Sequence, residues 1–221
     1  MKLSHAIPLG FAALAFSCGA LAAEYTLNFN DGAACSTIQP ACENYGGISQ
    51  SYGDVAGIVN MSYESVDSGG TSLLYFGSGY SELQGVVFAL GSATNSHGRI
   101  TLNAAPGQTI SLLGFDLGAW RYPSDTSRFT TLSVKNGNSS QDYAQALEVS
   151  TTTSSHIDTT YFGAAGAGQT VTLEWKNDAF NVGLDNLHFS VTQVPEPETY
   201  ALLLAGLGLL GAATRKKRHT A

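Results

Sequence analysis

Thr170-Val171-Thr172-Leu173-Glu174-Trp175-Lys176 is the stretch on which the fold turns. Strict alternation places Val171, Leu173 and Trp175 on one side of an extended chain. Thr172, Glu174 and Lys176 fall on the other, which is the period-two signature of a strand with one buried face. The same rhythm recurs at Leu132 and Val134, at Ile100 and Leu102, and at Tyr25, Leu27 and Phe29. Two longer stretches change phase midway. Ile110 and Leu112 give way to Phe115, Leu117 and Ala119, with Gly114 beside the slip. Val182 and Leu184 give way to Leu187, Phe189 and Val191, with the slip at Asp185-Asn186. A single residue out of step is what a β-bulge requires. Pro106-Gly107, Asn136-Gly137 and Gly166-Ala167-Gly168 read as turns between strands. Charged residues make up only 12% of the chain, too few for long solvated helices. Together these features predict an all-β, jelly-roll-like β-sandwich. No repeat of solenoid period is present.

Both flanks of this domain read as targeting segments. Residues 1–23 have a short positive start at Lys2, an apolar run from Ala6 to Leu21, and a small-x-small pattern at Ala20-Leu21-Ala22. That is a signal peptide, cut after Ala22 or Ala23, with Cys18 leaving alongside it. Residues 194–221 form a three-part tail. Pro195-Glu196-Pro197 is a rigid breaker, because each proline fixes φ and lacks an N–H. An apolar stretch from Tyr200 to Ala213 follows, then Arg215, Lys216, Lys217 and Arg218. Thr199 is positioned to cap the helix. The apolar stretch is short against the roughly 20 residues of a spanning helix. It reads as a transmembrane-type sorting helix that inserts transiently, its basic stop on the cytoplasmic side. An ordinary buried C-terminal helix is the alternative; four consecutive cations at its end fit a membrane exit better.

A signal peptide combined with Val194-Pro195-Glu196-Pro197, an apolar helix and a terminal Arg-Lys-Lys-Arg resembles the PEP-CTERM sorting signal of Gram-negative bacteria. The resemblance implies an inner-membrane exosortase as processing partner. Pro195, Glu196 and Pro197 would be its recognition motif. Cleavage near the motif would then release or transfer the protein to the cell surface or an extracellular polysaccharide matrix. The resemblance covers Val194 to Arg218 and assigns no activity to residues 24–193.

That central stretch is one domain, long enough for a sizeable core. From Glu24 to Gln193 fifteen acids face five bases, a net charge of −10. This excludes a basic footprint for nucleic acid and suits a soluble surface protein or a divalent cation. After processing, Cys35 and Cys42 remain, an even count that in an exported chain reads as a disulfide. A metal or redox pair is the alternative, without a second cysteine pair or nearby histidine to support it. Catalytic motifs are lacking. Gly77-Ser78-Gly79-Tyr80-Ser81 has the wrong order for a nucleophile elbow, and His97, His156 and His188 are isolated.

Two places invite a ligand. The loop Gly118–Asp125 concentrates Trp120, Arg121, Tyr122 and Asp125, and Tyr80 sits in another Gly-Ser loop. Aromatic faces stack on sugar rings, while Arg and Asp bind hydroxyls. The structural alternative has Trp120 covering one end of the core and Arg121 paired locally. The second place is the last strand. Val182-Gly183-Leu184-Asp185-Asn186-Leu187-His188-Phe189 resembles the closing strands of galactose-binding-like and related carbohydrate-binding jelly rolls. That resemblance implies a structural calcium where first and last strands meet, here at Asn30, Asp31 and Asp185, which supply part of the six to eight oxygens calcium takes. The alternative is that Asp185 and Asn186 satisfy backbone groups at a bulge. The expectation is a non-enzymatic surface or matrix protein with glycan-binding ability and no required cofactor. The rival classes are a secreted polysaccharide-acting enzyme and a purely structural matrix component.

Overall fold

The computed structural model describes residues 22–30, 38, 43–137, 139–142, 146–194 and 203–210. Asp31, Cys35, Cys42, Pro195, Glu196, Pro197, Arg215, Lys216, Lys217, Arg218 and the signal peptide up to residue 21 lie outside the described residues.

The stretch Thr170–Lys176 is a strand, β12, with Val171, Leu173 and Trp175 fully buried. It pairs on both edges: with β5 (His97–Ala104) and with β7 (Ser127–Asn136). β5 pairs onward with β2 (Val59–Ser65), and β7 with the short β8 (Ser140–Asp142) and β9 (Leu147–Ser150). Trp175 is directly opposite Gly98, and a Cβ there would fall 2.5 Å from the indole. The missing side chain thus makes room for the largest residue of the core, whose Nε1 donates to the carbonyl of Val182 across the sandwich at 2.8 Å.

The second sheet is built on β6 (Gln108–Ala119) and β13 (Val182–Gln193), which pair antiparallel along their whole length. The free edge of β13 is shared: β4 (Val86–Phe88) takes its start and β1 (Ala22–Leu27) its end. β3 (Leu74–Phe76) completes that side. β10 (Ser155–Asp158) and β11 (Ala167–Gly168) cover the other edge of β6. The inner faces of both sheets, with Tyr63, Ile100, Phe115, Leu132, Trp175 and Phe189, form one apolar core. The molecule is an antiparallel β-sandwich of the expected class.

Both phase changes are present. Between Asp185 and His188 the register against β6 slips by one residue, and between His188 and Phe189 it slips back. Asn186 sits at the first slip with φ +52°, the left-handed conformation that Asn tolerates better than most residues. The segment 166–168 differs from expectation. An α-helical turn, Thr159–Phe162, and a 3₁₀ stretch, Gly163–Gly166, precede Ala167, and Ala167-Gly168 then adds two ladder pairs to β6 instead of simply reversing the chain. In the tail, residues 203–210 are helical and exposed. Among the described residues no helix is long and apolar enough to cross a membrane.

Candidate functional site

Strand alternation in β3 and β4 turns Tyr75 and Val87 into the main core. It turns Phe76, Val86 and Phe88 to the opposite, outer face of their sheet. There they meet a loop. Residues 77–85 fold back across β6 and β13 at Gly118 and Gly183, which are opposite one another in the ladder. A Cβ on Gly118 would stand 2.6 Å from the Tyr80 carbonyl oxygen, and one on Gly183 would stand 2.6 Å from Val86 Cγ2. This bare glycine pair lets Tyr80 lie flat on the sheet. The loop is pinned at Ser81, whose N–H donates to Ala119 O at 2.9 Å and whose hydroxyl donates to Ser150 O at 2.7 Å. Glu82 accepts from the N–H and hydroxyl of Ser154, both at 2.8 Å.

The result is a second aromatic cluster. Trp120 meets Phe76 at 4.9 Å and Tyr80 at 5.4 Å between ring centroids. Phe88 touches Tyr80 and Phe180, and Tyr45 rests edge-on against Phe76 and Phe88. Tyr80 donates its hydroxyl to Phe180 O at 2.6 Å. Burial, with the nearby Tyr45 and Asp178, pushes its ionisation far above the usual tyrosine range, so it remains a donor. Between these rings lies a pocket of about 240 Å³, with Tyr45 and Tyr122 exposed at its mouth (56% and 48%) and Asn181 at its base.

A wider pocket of about 490 Å³ adjoins it, lined by Asp125, Arg128, Phe129, Asn177 and Asp178 among others. Arg128 binds Asp125 at 2.7 Å while its guanidinium lies over the Tyr122 ring at 4.9 Å. Asn181 donates to Asp178 Oδ1 at 2.7 Å. Burial raises the Asp178 pKa, opposed by that hydrogen bond and by the Arg128 charge. Two of the four non-glycine residues with positive φ among the described residues, Tyr45 and Asn177, line these pockets. Such backbone costs on the order of 1 kcal/mol each and concentrates where a surface is shaped for contact.

Of the residues expected in a ligand loop, Tyr80, Trp120 and Tyr122 line one pocket, and Asp125 lines its neighbour. Arg121 is exposed, and its guanidinium has no partner among the described residues. Its backbone N–H donates to Gly79 O at 3.1 Å. Tyr45, Phe76, Phe180 and Asn181 were not foreseen, since Tyr45 and the adjacent Phe180-Asn181 come from two other loops and Phe76 from an outer strand face. At the proposed calcium position Asp185 is buried and accepts from the Phe29 N–H at 2.8 Å. The Asn30 N–H donates to Asn28 Oδ1. Among the described residues no three metal-ligating side chains converge. Asp31, the third residue of that expectation, lies outside the described residues.

One further constellation lies elsewhere on the outer face of the same sheet. His156 Nδ1 is 2.7 Å from Asp116 Oδ1, and Asn186 donates to Asp116 Oδ2 at 2.7 Å. Among the described residues no hydroxyl or thiol is hydrogen-bonded to the other ring nitrogen of His156.

Residues 193–218 match the PEP-CTERM protein-sorting motif. The chain therefore carries the sorting signal of an exported, exosortase-processed protein. No curated protein matches the chain. Among solved structures, TmCBM61 in complex with beta-1,4-galactotriose shares 12% identity, over 60% of this chain and 88% of that chain, with a TM-score of 0.31. The family 11 carbohydrate-binding module from Clostridium thermocellum, in complex with a beta-1,3-1,4-mixed-linked tetrasaccharide, shares 10% identity, over 66% and 92%, with a TM-score of 0.22.

Proposed function

We propose that the sandwich is a non-catalytic glycan-binding domain, delivered by its sorting tail to the cell surface or extracellular polysaccharide matrix of a Gram-negative bacterium. The observation that carries this reading is the aromatic pocket. Soluble domains bury aromatic rings, yet here Tyr45, Trp120 and Tyr122 edge a solvent-open pocket alongside the hydrogen-bonding side chain of Asn181. Sugars need that combination: ring faces for their C–H surfaces and polar groups for their hydroxyls. The signal peptide, the passing exosortase contact and a Cys35–Cys42 disulfide belong to the same reading of an exported protein.

A glycan array followed by titration calorimetry and a hydrolysis assay tests it. The expected result is binding without turnover, weakened tenfold or more in Trp120→Ala, about 1.4 kcal/mol or more. Turnover abolished by a single carboxylate substitution would instead establish the enzyme reading. Affinity unchanged in Trp120→Ala would remove the pocket from the function.

A further inference from the structure

The two pockets lie on either side of a shared wall. Tyr122 edges the aromatic pocket and carries Arg128 of the polar pocket on its ring at 4.9 Å. Asn181 at the base of the first holds Asp178 at the base of the second. Across this shared wall the lining changes from rings to hydrogen-bonding groups, and the buried Nε of Arg128 has no hydrogen-bond partner among the described residues. Charge restricts what that ligand is. The domain carries −10. Of its five cations, Arg99, Lys135 and Lys176 are bound to Glu174, Arg128 is bound to Asp125, and Arg121 alone is without an acidic partner among the described residues. A polyanionic chain would meet like charge almost everywhere on this surface, a juxtaposition that costs affinity and slows encounter.

We infer that the aromatic and polar pockets are consecutive subsites of one cleft, which takes an uncharged polysaccharide chain along its length rather than a single terminal sugar. The inference rests on the glycan-binding reading and goes beyond it in ligand length and charge. The aromatic subsite anchors one sugar by stacking. The polar subsite then takes a neighbouring sugar through its hydroxyls, with Arg128 as donor and Asp178 as acceptor.

Calorimetry of the exported, processed protein decides it. The probes are neutral β-linked gluco- and galacto-oligosaccharides of one to six units, with oligogalacturonates of matched length. Affinity for a neutral series should rise tenfold or more between one unit and three, and the uronates should bind more weakly at every length. Arg128→Gln and the near-isosteric Asp178→Asn should each flatten the length dependence while single-unit binding persists. Trp120→Ala should weaken every length. Neutral binding that does not grow with length, or uronates that bind more tightly than neutral chains, overturns the inference and leaves glycan binding standing. No binding to any probe overturns the glycan-binding reading itself. Two variants guard against one that fails to fold, and each is checked by its melting temperature.

Discussion

The Glu174 carboxylate lies on the outer face of β12 yet is only 1% exposed, because neighbouring side chains close over it. Arg99 Nε and Lys135 Nζ each approach to 2.8 Å, Lys176 Nζ to 3.3 Å and His97 Nε2 to 3.7 Å; Arg99 also reaches Glu64 at 2.7 Å. Burial alone would raise its pKa. Close contacts from Lys135 and Arg99, with the Lys176 charge and the His97 ring nearby, overcome that and hold it well below the usual carboxylate range. In the unfolded chain the group titrates at about 4.3. Above about pH 5 both states carry the charge, and the network contributes in full. As pH falls further the unfolded chain gains a proton that the folded one refuses, and stability declines. Glu174→Gln should therefore cost about 2 kcal/mol at neutral pH and show a shallower acid loss below about pH 5. Urea unfolding at a series of pH values measures both, and identical slopes for the two proteins would refute the assignment. Alternation alone placed Glu174 outside; its burial depends on partners from β5 and β7, which the sequence of β12 does not contain.

At the scale of elements, the pair β6–β13 organises the outer aromatic cluster. Gly118 and Gly183 form the bare patch on which the Tyr80 loop lies. Gly118→Ala drives a Cβ against backbone, which cannot rotate away, so about 1–3 kcal/mol of strain is expected. The loop should lift and the Trp120 surroundings should change. A lower melting temperature and an altered near-ultraviolet circular dichroism signal check this; a wild-type spectrum and melting temperature together would show that the loop does not depend on the glycine. The bulges in this pair were legible in sequence because a phase slip displaces every later apolar residue, from Leu187 through Val191. The bare patch was not. Gly118 and Gly183 lie 65 positions apart, and only strand pairing brings them opposite. β3 and β4 escaped for a related reason: with three residues each they are too short to display a period.

For the whole molecule, composition and alternation identified a sandwich, and the loop chemistry singled out Tyr80, Trp120 and Tyr122 before any contact between them was known. The remainder of the pocket is assembled from loops whose only common property is their place in the fold. The tail makes a separate prediction: protein recovered from the cell surface should have an intact mass that ends near Pro195-Glu196-Pro197, and an uncleaved C-terminus would exclude exosortase processing. Reduction should add the mass of two hydrogens, and free thiols at both Cys35 and Cys42 would exclude the disulfide.

Ala22 and Ala23 of β1 pair with Thr192 and Val191, and the Val194 N–H donates to Gly107 O at 2.7 Å. Fixed backbone thus continues to within one residue of Pro195, and both the incoming and outgoing chain meet the sandwich at one pole. Asn181 and its pocket stand at the start of β13, eleven residues from its end at Gln193, or roughly 35 Å along the strand. The Asn181 pocket and the point where the chain leaves for its tail therefore lie at opposite poles of the sandwich, so removal of the tail would leave the pocket untouched.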